Sequence, residues 1–417
     1  MKSNWAVYSV GECLEKVIDN RGKTPPISDM TNGVPLVEIN ALVGSGKFPN
    51  LRIIKKFVNS ETHNTWFRSG HPTAGDILFS TVGSIAEVAM ANTQNICIAQ
   101  NIIALRPNNR VITADYLYYF LKNPSTQKKL KSLDISSVQP SIKVPHLLAI
   151  EILVPSISEQ KNIADTLSAL DDRISLLRET NATLEAIAQA LFKSWFVDFD
   201  PVRAKAEGRE PEGMPAEVAD LFPSEFEDTE LGEIPKGWKL GTLTEELKVA
   251  YGKNLPTTKL LRAGFPVYGG NGKIGYFDKY TYDTRQVLIS CRGAASGKIN
   301  LSPPKSFITN NSLVIETSKK THIPFGYIKG FMQKSDLTGY ITGSAQPQIT
   351  IENLKTFRVL VPPKLIMSAF EDISEGIENK IETNEQQLIS LTDLRDTLLP
   401  RLMSGKLRIP DLEEQAA

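Results

Sequence analysis

The sequence predicts an α+β protein in which two similar, mostly β domains are separated by two long helices. The helices are expected to pack antiparallel as coiled-coil spacers about a pseudo-twofold axis. Three observations predict this architecture: an internal duplication, short strand-like segments in both copies, and a heptad pattern after each copy. The chain has 417 residues, of which 41% are hydrophobic, so it is long enough to bury more than one core.

The duplication is clearest where residues 136–155 match residues 343–362 at a constant offset of 207. The match continues without gaps into the segments that follow, and it drifts upstream as expected where loops differ in length. A repeat of about 210 residues is too long for a solenoid module and indicates duplication of a whole domain. The matched pairs include Gln139 and Gln346, Pro155 and Pro362, and Trp5 and Trp238.

Each copy consists mainly of short apolar segments separated by Gly, Pro and Asn, a pattern typical of strands. Examples are DILFSTV and NIIALRP in the first copy, and QVLISCR and NSLVIET in the second. One helix is predicted in each copy, near residues 113–131 and 324–335. Strands do not alternate with helices of about 10–15 residues, so a doubly wound parallel sheet is not expected.

A long helix is predicted after each copy, because apolar residues recur there at alternating steps of four and three. At 1.5 Å per residue, the first seam extends about 48 Å, enough for a spacer between domains. The second seam is less regular, since Ser374 and Arg395 interrupt it. The two series are Ile163, Leu167, Leu170, Ile174, Leu177, Asn181, Leu184, Ala188, Leu191 and Trp195, and Phe370, Ser374, Ile377, Ile381, Asn384, Leu388, Leu391, Arg395, Leu398 and Leu402.

The two seams share an asparagine. Aligning the helices antiparallel and end to end places Asn181 opposite Asn384. A buried polar pair can fix the register of packed helices, and we predict that role for these residues. The alternative is that each side chain bonds water at a partly open seam.

These patterns divide the chain into successive segments. The segment between the two copies is rich in Pro, Gly and Glu, which is typical of a linker. Its apolar positions, Val218, Leu221, Phe222 and Phe226, are expected to pack on the helices. The predicted division is a first domain at 1–155, a spacer helix at 156–199, a linker at 200–236, a second domain at 237–363, a second spacer helix at 364–410 and a tail at 411–417.

The charged residues are unevenly distributed, although their numbers balance at 47 basic and 47 acidic. Basic residues are in excess over 1–155 and 237–363, and acidic residues over 156–236 and 364–417. Two basic domains suit a polyanion such as DNA, whereas acidic segments should face solvent or protein. No run approaches the roughly 20 apolar residues of a membrane span, so we expect a cytoplasmic protein.

Motifs for catalysis or metal binding are not found. Cys13, Cys97 and Cys291 are far apart in sequence, which favours buried thiols over a disulfide framework or a zinc site. The four histidines show neither HExxH nor any paired spacing, and no Asn/Asp-Pro-Pro-Tyr/Phe tetrapeptide of an adenine methyltransferase is present. We therefore expect no catalytic residue, no cofactor and no metal.

Residues 190–208 (ALFKSWFVDFDPVRAKAEG) and 221–238 (LFPSEFEDTELGEIPKGW) closely resemble the central conserved region of type I restriction-modification specificity subunits. Residues 394–411 resemble the C-terminal conserved region of that family. Residues 264–280, with the Ser-x-Gln-Pro-x-Ile motif in both copies, are similar to its target recognition domains. The resemblance covers essentially the whole chain in order.

This resemblance implies a non-catalytic subunit that binds double-stranded DNA through two target recognition domains, each reading a half-site. The target would be bipartite, and asymmetric because the two copies differ in sequence. It also implies that the helices dock methyltransferase subunits, two per specificity subunit, and that restriction motor-nuclease subunits join through them. We expect an exposed apolar cluster, Phe192, Trp195, Phe196 and Phe199, to form the partner interface. Ordinary solvation of the acidic helix faces is the alternative.

Candidate DNA-binding residues are chosen by chemistry and by their position in loops. Arg reads guanine, Asn and Gln read adenine, and Lys mainly neutralises phosphate. Each candidate could instead be a solvated charge or a turn-stabilising amide. Because Gln139 and Gln346 occur in both copies, a shared structural hydrogen bond is favoured over a phosphate contact. The candidates are Arg52, Lys55, Lys56, Arg68, Gln139 and Lys143 in the first domain, and Arg262, Asn271, Lys273, Arg292, Lys298, Gln346 and Gln348 in the second.

Two other functions remain open at this point. One is a DNA-modifying enzyme, a methyltransferase or nuclease, with an unrecognised active site. The other is a structural scaffold that bridges proteins without reading a DNA sequence. Selection of bound fragments from random DNA separates the scaffold from a sequence reader, since only a reader returns a motif.

Overall fold

The structure, a computed structural model, describes residues 5–22, 24–28, 32–134, 139–230, 232–317 and 322–409. The predicted tail at 411–417 and the start of the first matched segment, 136–138, lie outside the described residues. The chain divides into two compact units. Unit 1 comprises Met1–Arg178 and Gln386–Ala417, and unit 2 comprises Glu179–Glu385.

Among its described residues, the first domain, in unit 1, contains nine short strands. Strands β2, β8, β5 and β6 form an antiparallel sheet in that order, and β4, β3 and β7 form a smaller mixed sheet. Strand β1 pairs with β9, which joins the two ends of the domain. The bounds are β1 Ala6–Ser9, β2 Leu14–Ile18, β3 Val34–Val37, β4 Phe57–Val58, β5 Ile77–Ser80, β6 Val88–Met90, β7 Cys97–Ile98, β8 Ile102–Pro107 and β9 Glu151–Val154.

The described part of the first domain also contains four short α-helices, and the single helix predicted near 113–131 is two helices. A proline follows Asn123, and its ring and missing N–H prevent the first helix from continuing. At the start of that helix, the Thr113 hydroxyl accepts a hydrogen bond from Tyr116 N. The helices are α1 Ser60–Trp66, α2 Ala114–Lys122, α3 Pro124–Ser132 and α4 Val144–Leu148.

A long helix, α5, spans Ile157–Phe196 and leads into the segment predicted as a linker. That segment is folded: it contains two short helices and a hairpin, and it contributes Val202, Phe222 and Ile234 to the core of unit 2. The ammonium of Lys205 donates to the carbonyls of Ala219 and Phe222. The elements are α6 Asp200–Ala206, α7 Ala216–Ala219, β10 Phe226–Thr229 and β11 Gly232–Pro235.

The second domain, in unit 2, has the topology of the first. Strands β13, β19, β16 and β17 form the antiparallel sheet, β15, β14 and β18 form the mixed sheet, and β12 pairs with β20. Its helix α9 lies where a helix was predicted. The bounds are β12 Lys239–Thr242, α8 Leu243–Glu246, β13 Val249–Tyr251, β14 Phe265–Gly269, β15 Gly272–Phe277, β16 Gln286–Ser290, β17 Ile299–Ser302, β18 Phe307–Ile308, β19 Ser312–Ile315, α9 Phe325–Lys334 and β20 Arg358–Val361.

A second long helix, α10, spans Lys364–Met403 and packs antiparallel to α5 within each unit. In unit 1, Leu402 shares a core with Ile163. In unit 2, the Phe192 and Phe370 ring centroids are 6.1 Å apart. The interruptions of the heptad pattern have partners as well, since the Arg395 guanidinium lies 2.9 Å from an Asp171 oxygen.

The two asparagines meet inside unit 2. Asn384 is buried at 1% exposure, and its Nδ2 donates to Asn181 Oδ1 over 2.7 Å. The Asn181 amide points in turn at the Ile381 carbonyl, 3.5 Å away. The side chains therefore lie opposite each other across the helix pair.

This pair gives a testable expectation. Asn384→Leu is expected to lower the free energy of unfolding by about 1–3 kcal/mol, because it leaves the Asn181 amide without its main partner. The double variant Asn181→Leu with Asn384→Leu should recover the loss, since two leucines fit an apolar seam. Urea unfolding followed by circular dichroism measures both, and a single variant as stable as the unsubstituted chain would contradict the pairing.

The aromatic cluster that was expected to be exposed is part of the core of unit 2, so the predicted exposure is wrong. Phe192, Trp195 and Phe196 are only 2%, 5% and 5% exposed. Phe199 is half-buried and contacts Trp238 edge to face. The heptad pattern identifies the buried face of a helix. It does not say whether another helix, a domain or a partner protein covers that face.

The three cysteines are free and buried. Burial raises the pKa of Cys13 to about 11 and that of Cys97 to about 12, so these thiols stay protonated near neutral pH. Within the described residues, no helix is long and apolar enough to span a bilayer. The same residues contain no group of three or more His, Cys, Asp or Glu side chains that could hold a metal ion.

Candidate nucleic-acid interface

The first domain holds three loops together at the end of strand β5, an arrangement named here the loop frame. Gly83 N donates to the Pro140 carbonyl over 2.9 Å. The Ile142 N–H donates to Thr81 O over 2.8 Å, and the Thr81 N–H donates to Asn101 O over 2.9 Å. Gly83 has a φ of 84°, a conformation that favours glycine. The Gln-Pro motif is thereby fixed beside the strand end.

The second domain builds the same loop frame at the end of strand β16. Gly293 N donates to the Pro347 carbonyl over 2.9 Å, and Gly293 has a φ of 75°. The Ile349 N–H donates to Cys291 O over 3.2 Å, and the Cys291 N–H donates to Asn311 O over 3.0 Å. The backbone arrangement is therefore repeated bond for bond in both copies.

The Gln-Pro motif works mainly through its backbone and its isoleucine. Ile142 and Ile349 are buried at 0% and 1% exposure, while the side chains of Gln139 and Gln346 are exposed. The prolines supply the carbonyls that bind the frame glycines. The repetition of the motif is thus accounted for by a structural role, and the glutamine side chains face outward beside it.

Side chains differ where the two frames are otherwise equivalent. An isolated backbone bridge joins Val82 to Ser141 in the first domain, and the matching bridge joins Arg292 to Gln348 in the second. Both Arg292 and Gln348 are exposed. One frame therefore presents a small apolar and a small hydroxyl side chain where the other presents a guanidinium and an amide.

A polar cleft of about 340 Å³ opens beside the frame of the first domain. It brings together two of the candidate residues, Lys56 and Gln139, with Glu38 and Asn101. The Lys56 ammonium lies 2.7 Å from a Glu38 oxygen. Buried Asn101 Oδ1 has no hydrogen-bond partner among the described residues, so an ion pair and an unsatisfied acceptor lie together beside the frame.

The remaining candidates of the first domain are exposed but lie outside the lining of this cleft. Arg52 is in a 3₁₀ helix at Leu51–Ile53. Lys55 precedes strand β4, Arg68 follows helix α1, and Lys143 precedes helix α4.

In the second domain, a hairpin tip lies close to the frame. Asn271 is at the turn between β14 and β15, and Asn300 Nδ2 donates to the neighbouring Gly270 carbonyl over 2.9 Å. A β-carbon on Gly270 would be 2.7 Å from Ser290 Oγ at the end of β16. Lys298, whose carbonyl accepts from Ser290 N, borders the same strand end. The structure thus brings Asn271, Lys298, Arg292 and Gln348 to one end of the sheet.

Two candidates of the second domain lie along the hairpin itself. The Lys273 ammonium donates to the Tyr276 hydroxyl over 2.7 Å and lies 4.1 Å from the centre of that ring. Arg262 is exposed and follows Leu261, which bridges to Tyr276 at the other edge of β15. Arg262 is therefore separated from the frame by the width of the hairpin.

The structure also identifies residues that the sequence analysis did not nominate. Glu38, Gln100 and Asn101 line the cleft of the first domain, and Asn300 supports the hairpin tip of the second. A signal was present for one of them, since Asn101 corresponds to Asn311 in the duplication. Of the others, Glu38 and Gln100 lie in loops and Asn300 lies in strand β17.

Comparisons with known proteins agree with this architecture. A family model described as "Type I restriction modification DNA specificity domain" matches residues 2–186 and 235–392, which is most of both copies. A crystal structure of the S subunit of the type I restriction-modification system from M. genitalium matches with a TM-score of 0.58. That match covers 96% of each chain at 19% identity, so the predicted fold class is confirmed.

Relatives of known name match over most of their length. The type I restriction enzyme MjaIX specificity subunit of Methanocaldococcus jannaschii is 27% identical over 81% of this chain and 79% of its own. The type I restriction enzyme HindI specificity subunit of Haemophilus influenzae is 25% identical over 97% of this chain and 100% of its own. The chain therefore belongs to the family of type I restriction-modification DNA specificity subunits.

Proposed function

We propose that this chain reads an asymmetric, bipartite DNA sequence, with one half-site contacted by each domain, and carries no catalytic centre of its own. The observation that carries the proposal is the loop frame. Its backbone bonds are the same in both domains, but its exposed side chains differ. One docking geometry combined with two sets of reading groups gives two different half-sites.

The chemistry of the two sets supports different base preferences. Arg292 and Gln348 offer a guanidinium, which suits the acceptor edge of guanine, and an amide, which suits adenine. The first domain offers Gln139 and Asn101 amides beside the Lys56–Glu38 pair. A carboxylate such as Glu38 accepts from the exocyclic amine of cytosine.

Selection from random DNA by the chain assembled with its methyltransferase partners tests this proposal. The expected result is a split motif with two different halves. Arg292→Ala with Gln348→Ala should weaken binding by about 1–3 kcal/mol for each lost base contact and relax one half only. Lys56→Ala with Gln139→Ala should relax the base preference at the other half-site.

The control is Lys355→Ala, which removes an exposed lysine of the second domain that pairs with Glu352 on the surface. It should leave both halves unchanged. Recovery of no motif, or of one continuous motif, would overturn the proposal. Relaxation of both halves by one pair of substitutions would show that the frames do not read separately.

We further propose that the long helices dock methyltransferase subunits, two per chain, and that motor-nuclease subunits join through them. Support comes from Ile187 on α5 and Leu394 on α10, which are 45% and 46% exposed and stand at the repeat offset of 207. Two equivalent apolar positions suit two copies of one partner. The mass of the assembled complex measures the stoichiometry.

A further inference from the structure

A polar trio in unit 2 connects the second domain to both long helices. Lys329 on α9 is 4% exposed, and its ammonium lies 3.0 Å from both carboxylate oxygens of Glu185 on α5. The same ammonium donates to Glu378 on α10. Glu378 is itself 9% exposed, so the lysine satisfies a carboxylate that is largely removed from water.

A second trio in unit 1 connects the first domain to the same two helices. The Tyr119 hydroxyl on α2 donates to Asp171 on α5 over 2.9 Å. The Arg395 guanidinium on α10 donates to the other oxygen of Asp171 over 2.9 Å. Burial, with the nearby Asp171 charge, raises the pKa of Tyr119, so the phenol stays protonated and donates.

The two trios have the same plan but different chemistry. Each takes one residue from the helix of its domain and one residue from each long helix. One carboxylate of each trio, Asp171 in unit 1 and Glu378 in unit 2, stands at the repeat offset of 207; Asp171 accepts from both other members of its trio, whereas Lys329 donates to both carboxylates of the other. Their donors are a phenol and a guanidinium in one unit and an ammonium in the other. Both trios therefore join a domain helix to the two long helices, although the residues that do so differ.

Stability alone does not explain a buried ionic trio. The desolvation of buried charges roughly cancels their attraction, and well-packed apolar residues are often as stabilising. A hydrogen-bonded ion pair does, however, require one distance and one direction. An apolar contact tolerates sliding, whereas these groups are satisfied together only at one placement of the domain helix on the long helices.

The helix surfaces around the unit 2 trio are shaped for one close placement. A β-carbon on Gly326 of α9 would overlap Ser374 of α10, and one on Gly330 would overlap the Phe192 ring of α5. Ser374, which interrupts the heptad pattern, is thus the small residue that lets α9 approach α10.

We propose that the two trios are positioning devices that fix the orientation of each recognition domain on the long helices and thereby restrict the gap between half-sites that the protein accepts. This inference rests on the proposed bipartite reading. The residues act through the placement of the domain and contact no DNA. Base preference within a half-site is therefore independent of the trios.

The test measures binding of the assembled complex to its selected target and to targets whose gap is one base pair shorter or longer. Two variants break one trio each without leaving a buried charge unpaired. Lys329→Met with Glu378→Gln neutralises the unit 2 trio. Asp171→Leu breaks the unit 1 trio. In this variant Arg395 can still donate to Asp396, and the Tyr119 hydroxyl can still donate to Ser168.

The unsubstituted complex is expected to bind the target with one gap length more tightly than targets with a shorter or longer gap. Each variant should reduce the ratio of these Kd values by about tenfold and leave the half-site sequences unchanged. Matched exposed controls are Lys334→Met with Glu375→Gln, and Asp172→Leu. Folded variants that keep the full gap preference overturn the inference. Relaxed half-site sequences would also overturn it, whereas the absence of any split motif in the unsubstituted complex means that the proposed function itself has failed.

Discussion

Replacing Trp195 by alanine is expected to lower the free energy of unfolding of unit 2 by about 3–5 kcal/mol. The indole is 5% exposed, and its ring centroid lies 5.3 Å from that of Phe222 and 5.7 Å from that of Phe370. The substitution would remove a large apolar surface from contact and leave a cavity among aromatic rings that meet at defined angles. Few single changes in this chain should cost more.

Chemical denaturation with tryptophan fluorescence and circular dichroism measures the loss. Val197, two residues on and 46% exposed, provides the matched control, and Val197→Ala should change stability by no more than about 0.5 kcal/mol. If Trp195→Ala unfolded like the unsubstituted chain and lost only partner binding, the aromatic cluster would be an interface after all.

The second large effect is expected from Arg106→Met in unit 1, with a loss of about 3–5 kcal/mol. Asp76 is 2% exposed and accepts two hydrogen bonds from the Arg106 guanidinium, over 3.0 and 2.8 Å. Thr73 N donates to it as well. Without the arginine, a buried carboxylate would keep only one strong partner.

The second domain provides the rescue for this experiment. Gln286 occupies the position equivalent to Asp76: Asp76 precedes Ile77 of β5, and Gln286 precedes Val287 of β16. Gln286 is 1% exposed. Its amide bonds Thr284 and Thr317, so the same fold accepts a neutral group there. Arg106→Met with Asp76→Gln should recover most of the loss in thermal and urea unfolding. A double variant as unstable as the single one would show that the buried charge is not the cause.

The sequence by itself determined the duplicated architecture and much of the helix packing. Self-similarity at a fixed offset identified two domains of one topology, since strands and turns are encoded locally. The heptad spacing identified the buried face of each long helix, because side chains three and four residues apart share a face. Placing Asn181 opposite Asn384 required only that spacing and an antiparallel alignment.

Only the tertiary structure decided what covers each buried face. Phe192, Trp195 and Phe196 have the spacing of a helix interface, yet they pack into the second domain. The periodicity of a helix sequence is the same whether its apolar face is covered by a domain of the same chain or by a partner protein. The cleft beside Lys56 and the trios around Asp171 and Glu378 join side chains from distant parts of the sequence. Such contacts depend on the three-dimensional path of the loops and helices, which local patterns in a single sequence do not specify.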